Sequence, residues 1–141
     1  MKKINIMIVD DSPADILLFE ESISELDFIQ DLEKKTSGKE AIGYLLNVLE
    51  DPSKTLPNLI FLDINIPVMD GHEILGILKS TEEFKHIPVI MLTTSKDEKD
   101  VMKAFKGYSS GYIVKPDDFL QMDVAVKKIK EYWMNASRLP S

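Results

Sequence analysis

The 141-residue chain contains no cysteine. That excludes disulfides, thiolate metal centres and thiol catalysis, and it suits a reducing compartment. Positive charge is scarce: 17 Lys and Arg stand against 24 Asp and Glu, a formal net charge of −7. Such an acidic balance, with a pI near 4.8, argues against a nucleic-acid surface, which needs clustered Lys and Arg. Long apolar runs are missing too. After Met1-Lys2-Lys3 the first run, Ile6 to Val9, ends in acid, too short for a signal peptide or a membrane span. A cytoplasmic protein with neither nucleic acid nor membrane as partner is expected. Only two histidines occur, His72 and His86, and neither has a second His or Cys at metal spacing, so both read as surface or packing residues. With 44% hydrophobic residues and no repeat, the chain fits a single domain over 1–134 and a short tail at 135–141.

The organising stretch is Leu59-Ile60-Phe61-Leu62-Asp63. Four apolar residues ending in a carboxylate read as a short buried strand that delivers Asp63 to its carboxyl edge. Pro67 stops the strand, and Asp70-Gly71 supplies a turn and a helix start. The same alternation runs through the chain. Ile4 to Val9 is a strand ending in Asp10-Asp11. Ser12-Pro13-Ala14-Asp15 opens a helix to about Leu26, with Asp15 placed for a capping-box-like contact. A short polar edge strand is expected around Leu32. Ser37 to Glu40 caps a helix with apolar face Ile42, Leu45, Leu46 and Leu49. The helix after Asp70 carries Ile74, Leu75, Ile77 and Leu78. Pro88 to Leu92 is a strand followed by Thr93-Thr94-Ser95; Ser95 to Glu98 repeats the capping pattern before Val101, Met102, Ala104 and Phe105. Gly111 to Lys115 is a last strand stopped by Pro116. A final helix over about Phe119 to Met134 carries Val124, Val126, Ile129 and Trp133. Five alternations of strand and helix mean an α/β fold, a doubly wound parallel sheet covered on both faces.

The residues at the carboxyl ends of the buried strands are Asp10 and Asp11, Asp63, Thr93 and Lys115. In an open parallel sheet these ends lie along one crevice, where ligands bind. Three carboxylates close together repel one another unless a cation joins them. With oxygen ligands only, Mg²⁺ is the natural cation. An ammonium and a hydroxyl beside it suit a phosphoryl group, and Asp63 could be the nucleophile that accepts it.

Asp10-Asp11, Asp63 in "LDINIPVMDG", Thr93 in "MLTTS" and Lys115-Pro116 in "GYIVKP" together resemble the receiver domain of two-component response regulators, over Ile4 to about Trp133. The resemblance implies a flavodoxin-like, five-stranded sheet in the order 2-1-3-4-5 with five helices. It implies that Asp63 takes a phosphoryl group from a sensor histidine kinase, the only chemistry being on its own Asp. Asp11, Asp63 and the main-chain carbonyl of Asn65 would bind Mg²⁺, with Asp10 acting mainly through water. Lys115 would pair with the phosphoryl oxygens, and the Lys115–Pro116 bond would be cis. Thr93 would move to the phosphate and Tyr112 swing inward behind it, repacking the face of the fourth helix, fifth strand and fifth helix. A homodimer through that face and an unidentified downstream protein are the implied outputs.

Three departures stand out. The interval from Asp11 to Asp63 is longer than in a compact receiver, the excess falling at 50–57; Tyr108 follows Gly107 where a small residue is common; and no room for an output domain follows the last helix. The long loop, "MLTTS" and "KEYWMNASRLP" look most like stand-alone regulators that partner bacterial phytochrome kinases. The stretch Ile16-Leu17-Leu18-Phe19 is wider than one helical stripe needs, and Ile16 and Leu17 are expected to face outward and dock the kinase. The alternatives are a phosphorylation-independent pseudo-receiver scaffold and a phosphatase of the haloacid-dehalogenase type. The latter wants a second Asp two positions after the nucleophile, where this chain has Asn65.

Overall fold

A computed structural model of the chain describes residues 3–116 and 119–132. Trp133, Met134 and the expected tail at 135–141 lie outside the described residues. In order, the elements are β1 (Ile4–Val9), α1 (Pro13–Ile23), β2 (Ile29–Lys35), α2 (Gly38–Glu50), β3 (Leu59–Leu62), α3 (Gly71–Ser80), β4 (Val89–Thr93), α4 (Glu98–Lys106), β5 (Gly111–Val114) and α5 (Phe119–Glu131). All strand pairs are parallel, and the sheet order is β2-β1-β3-β4-β5, as the resemblance implied. The order reverses between β1 and β3, which opens the crevice at their carboxyl ends.

The two-residue period of the strands sorts the core into two layers. Ile4, Ile6, Ile8, Leu59, Phe61, Ile90 and Leu92 face α1 and α5; Met7, Val9, Ile60, Leu62, Val89 and Met91 face α2, α3 and α4. Phe19 of α1 meets Phe61 of β3 with ring centroids 4.8 Å apart. Burying either ring contributes about 1.5–3 kcal/mol. β1 and β3 are buried almost throughout and read as continuous apolar runs, whereas β2, at the edge, is polar and half exposed.

Helix starts follow the capping chemistry. Ser12 accepts the Asp15 N–H at 3.3 Å, Ser37 the Glu40 N–H at 3.1 Å, and Asp70 the Glu73 N–H at 2.9 Å. The fourth helix differs from expectation: its N-cap is Asp97, not Ser95. Asp97 accepts the Lys99 N–H at 2.9 Å, while the Ser95 hydroxyl accepts the Asp97 N–H at 3.3 Å and donates to Asp100. Helix α1 ends at Ile23, short of Leu26, although Leu26 remains in the core.

Several apolar faces are turned relative to the sequence reading. Helix α2 buries Ala41, Leu45 and Val48 and exposes Leu46 and Leu49. Helix α4 buries only Ala104, leaving Met102 and Phe105 exposed, and α5 exposes Val124 while burying Met122 and Val126. Ile16 is a core residue, contrary to its expected outward role; only Leu17 of that pair is exposed. Helix register about the sheet decides these positions, and periodicity alone leaves it free by one residue.

The long loop at 50–57 belongs to the amino end of the sheet. The Asn5 N–H donates to the Asn58 side chain at 2.8 Å, the Asn58 N–H to the Asn5 carbonyl at 2.8 Å, and the Asn5 amide to Thr55 Oγ1 at 3.1 Å. The excess length is therefore stitched to the start of β1, away from the strand ends that carry the acids.

Candidate functional site

Strands β1, β3 and β5 each extend their ladder one residue into the crevice. The Asp10 N–H donates to the Lys35 carbonyl, and the Asp63 N–H to the Val9 carbonyl, both at 3.0 Å. The Lys115 N–H donates to the Thr93 carbonyl at 2.7 Å. These bonds fix the backbone at Asp10, Asp63, Thr93 and Lys115, so those side chains start from neighbouring strand ends. Asp10, Asp63 and Thr93 are buried and Asp11 is exposed.

The Lys115 ammonium lies 2.6 Å from Asp10 Oδ2, 2.8 Å from Asp15 Oδ2 and 3.1 Å from Asp63 Oδ2. Burial by itself would lower the pKa of this lysine. The bonds to Asp10 and Asp15 and the charges of Asp10 and Asp63 outweigh it and hold the ammonium above its ordinary range. Burial pushes the Asp10 carboxyl up, against the downward pull of Lys115 and of the Ser12 N–H, which reaches Oδ1 at 2.9 Å. Oxygens of Asp10, Asp11 and Asp63 lie within 4.8 Å of one another. Asp63 Oδ1 is buried and has no hydrogen-bond partner among the described residues. An anionic oxygen left so is costly, and its natural complement is a cation or an electrophile. Three hard oxygen donors, one each from Asp10, Asp11 and Asp63, fit Mg²⁺.

The turn after β3 is held by two close approaches. The Gly71 N–H donates to the Ile64 carbonyl at 2.8 Å, and a Cβ on Gly71 would lie 2.2 Å from the Asp63 carbonyl oxygen. Only glycine lets the two backbones pass there. Val68 sits at φ 71°, a left-handed conformation that a β-branched residue rarely adopts, with its side chain fully in solvent. Asn65 is exposed between the buried Ile64 and Ile66.

Thr93 Oγ1 accepts the Ser95 N–H at 3.3 Å, and Tyr112 donates its hydroxyl to the Ser95 carbonyl at 3.0 Å. The ring of Tyr112 is half-buried against the α2–α4 layer, and burial raises its phenol pKa. Ser95 thus joins both expected switch residues. Its hydroxyl also donates to Asp100 Oδ2 at 2.5 Å, while His72 Nε2 lies 3.0 Å from Asp100 Oδ1.

One expectation fails. No peptide bond among the described residues is cis, so Lys115–Pro116 is trans. Trans is the lower isomer of an X–Pro bond by about 0.5–1 kcal/mol, and from this backbone Lys115 already reaches its carboxylates. The structure also adds Asp15, which the sequence presented only as part of a helix start. Its partner is 100 positions away, so no local pattern pointed to it. The sole available signal was its place in the first turn of a helix that begins beside Asp10-Asp11.

An acidic cluster, a buried lysine and a buried hydroxyl at the carboxyl edge of a 2-1-3-4-5 sheet are the features of a two-component receiver. The response regulator receiver domain model matches residues 6–127, and the chain belongs to that family. The probable methanogenesis regulatory protein FilR2 of Methanothrix harundinacea is 35% identical over 135 residues, 96% of this chain and 86% of that protein. The response regulator Rcp1 of Synechocystis is 32% identical over 136 residues, 96% of this chain and 92% of its own length; its Mn²⁺-bound crystal structure superposes with a TM-score of 0.85 over 98% of this chain and 99% of that one. The phosphorylated cyanobacterial phytochrome response regulator RcpA superposes with a TM-score of 0.89 at 34% identity, covering 99% of each chain. The fold and its likeness to phytochrome-associated response regulators agree with the sequence reading. No helix among the described residues is long and apolar enough to cross a membrane.

Proposed function

We propose that this receiver accepts a phosphoryl group on Asp63 from the phosphohistidine of a sensor histidine kinase and signals through contacts that change with phosphorylation. The observation that carries this is the Asp63 carboxylate: Oδ2 is anchored by Lys115, Oδ1 is buried without a partner among the described residues, and the carboxylates of Asp10 and Asp11 lie close by. Transfer breaks the P–N bond and forms a P–O bond to Asp63; the imidazole, protonated on its other nitrogen, leaves as the neutral ring with the electron pair. Asp11, Asp63 and the Asn65 carbonyl would hold Mg²⁺, with Asp10 acting through water; when bound, the ion neutralises charge on the phosphoryl oxygens. Lys115 orients the carboxylate and donates to the transferred group. Thr93 supplies a hydroxyl from the neighbouring strand, and its link through Ser95 to Tyr112 gives the route by which α4 and β5 respond.

The likeness to RcpA and Rcp1 favours a phytochrome-type kinase as partner, in the cytoplasm, with the exposed Leu17 on the docking face. The exposed Met102 and Phe105 of α4 and Val124 of α5 support self-association through α4, β5 and α5. Asn65 at the position of a haloacid-dehalogenase acid/base disfavours a phosphatase, and the complete lysine and acid set disfavours a pseudo-receiver. Incubation with Mg²⁺ and acetyl phosphate, or with a phosphorylated kinase, labels the wild type and not Asp63→Asn. Absence of label in the wild type sinks the reading, and multiple turnover on a phosphomonoester replaces it with the phosphatase.

A further inference from the structure

Lys115 carries an ammonium with three N–H donors and no more. All three have partners: Asp10 Oδ2 at 2.6 Å, Asp15 Oδ2 at 2.8 Å and Asp63 Oδ2 at 3.1 Å. In this state the lysine has nothing left to offer a phosphoryl oxygen. One carboxylate must give up its bond before Lys115 can bind the incoming group. The three are not equal. The side chains of Asp10 and Asp63 are 2% and 8% exposed, that of Asp15 39%. A buried carboxylate stripped of its cation is costly, whereas a carboxylate open to solvent exchanges the ammonium for water at little cost. Asp15 also loses little by release, because its backbone stays fixed. Its N–H is held by Ser12 Oγ at 3.3 Å, and its charge sits in the first turn of α1, where the helix dipole favours an anion.

We infer that Asp15 is a placeholder acceptor, occupying the Lys115 N–H that the phosphoryl group takes over and thereby setting how strongly the site holds that group. This rests on the function proposed above. Asp15 is a positioning residue: its carboxylate acts on the phosphoryl only through the lysine. Before phosphorylation it occupies the third N–H of Lys115. Afterwards it competes for the lysine and weakens retention of the anion. The sequence carries the device in "DDSPAD", which puts a carboxylate on the first turn of the helix that starts at the acidic pair.

The experiment titrates beryllofluoride, a stand-in for the phosphoryl group, at saturating Mg²⁺ into the full chain. Four proteins are compared: wild type, Asp15→Asn, Lys115→Met and the double variant, with Asp15→Ala as a second replacement and Mg²⁺ affinity measured separately. Asp15→Asn and Asp15→Ala should bind beryllofluoride about two- to five-fold more tightly, the scale of a partly exposed ion pair. The gain should need Lys115: without the lysine the Asp15 change gives no tightening, or neither protein binds at all. Equal tightening with and without Lys115 would mean simple relief of charge repulsion and would overturn the inference. So would no tightening in either Asp15 variant. A wild type that binds no beryllofluoride removes the proposed function itself, and this inference with it, which separates the two failures.

Discussion

The two ends of the same parallel sheet are built on opposite rules. At the amino end, Asn5, Thr55 and Asn58 close the long loop with neutral hydrogen bonds, and the Lys79 ammonium donates to the Lys85 and Ile87 carbonyls at 3.1 and 2.7 Å. At the carboxyl end, Asp10, Asp15 and Asp63 share the single ammonium of Lys115 with Asp11 close beside them, and Asp63 Oδ1 is left without a hydrogen-bond partner among the described residues. Between the two ends the central strands β1, β3 and β4 are apolar and buried. The difference is one of charge. The amino end pairs neutral amides, hydroxyls and carbonyls and leaves one buried amide oxygen, Asn5 Oδ1, without a partner among the described residues. The carboxyl end crowds four carboxylates around one ammonium, an arrangement that a bound cation or electrophile would relieve.

The largest effect should come where the carboxyl end meets the core. Gly71→Ala would drive a methyl into the Asp63 backbone and lower unfolding stability by about 3 kcal/mol, read by urea denaturation; a loss near zero would show that the turn after β3 is pliant. Next comes the amino end. Asn58→Ala removes the acceptor for the Asn5 N–H and should cost about 1–2 kcal/mol with the phosphorylation rate intact, since the loop lies away from the acids. A change in that rate would blur the contrast between the ends.

At the carboxyl end the sign reverses. In the absence of Mg²⁺, Asp11→Asn relieves repulsion in the cluster and should raise stability by about 0.5–1 kcal/mol, while the wild type's stabilisation by added Mg²⁺ disappears. Thermal unfolding with and without the ion reads both, and an unaltered Mg²⁺ response would dissociate Asp11 from the metal. The smallest effect is electrostatic. The Ser95 hydroxyl and then His72 hold the Asp100 carboxyl below its ordinary value of 3.8. A depressed acid stabilises the fold above its unfolded pKa and loses that contribution as pH falls through the lowered folded value. Ser95→Ala should therefore move the Asp100 titration up toward 3.8, seen by carboxyl-carbon NMR, and narrow the acid range over which the protein stays folded.

Much of this was legible in the chain. Buried parallel strands announce themselves as apolar runs, and the acid, hydroxyl or lysine that ends each run marks the crevice, so Asp10, Asp63, Thr93 and Lys115 could be named from sequence. The edge strand β2 and the caps at Ser12, Ser37 and Asp70 were also readable, because their chemistry is local. What was hidden depends on rotation and reach. The buried stripes of α2 and α4 are set by how each helix sits on the sheet, which left Leu46, Leu49, Met102 and Phe105 outside and took Ile16 inside. Asp15 belongs to the site through a lysine 100 positions away, and the Ser95, Asp100 and His72 network joins three elements with no shared motif. The cis bond expected before Pro116 was an inference from resemblance, and the backbone takes the lower-energy isomer.

The most direct measurement locates the phosphoryl group itself: acetyl phosphate with Mg²⁺, borohydride reduction of the acyl phosphate, and peptide mass spectrometry. Homoserine at position 63, formed only with Mg²⁺ and lost in Asp11→Asn, is the result expected. Reduction product at another acid, or none at all in a folded protein, would contradict the assignment of the Asp63 carboxylate as the acceptor.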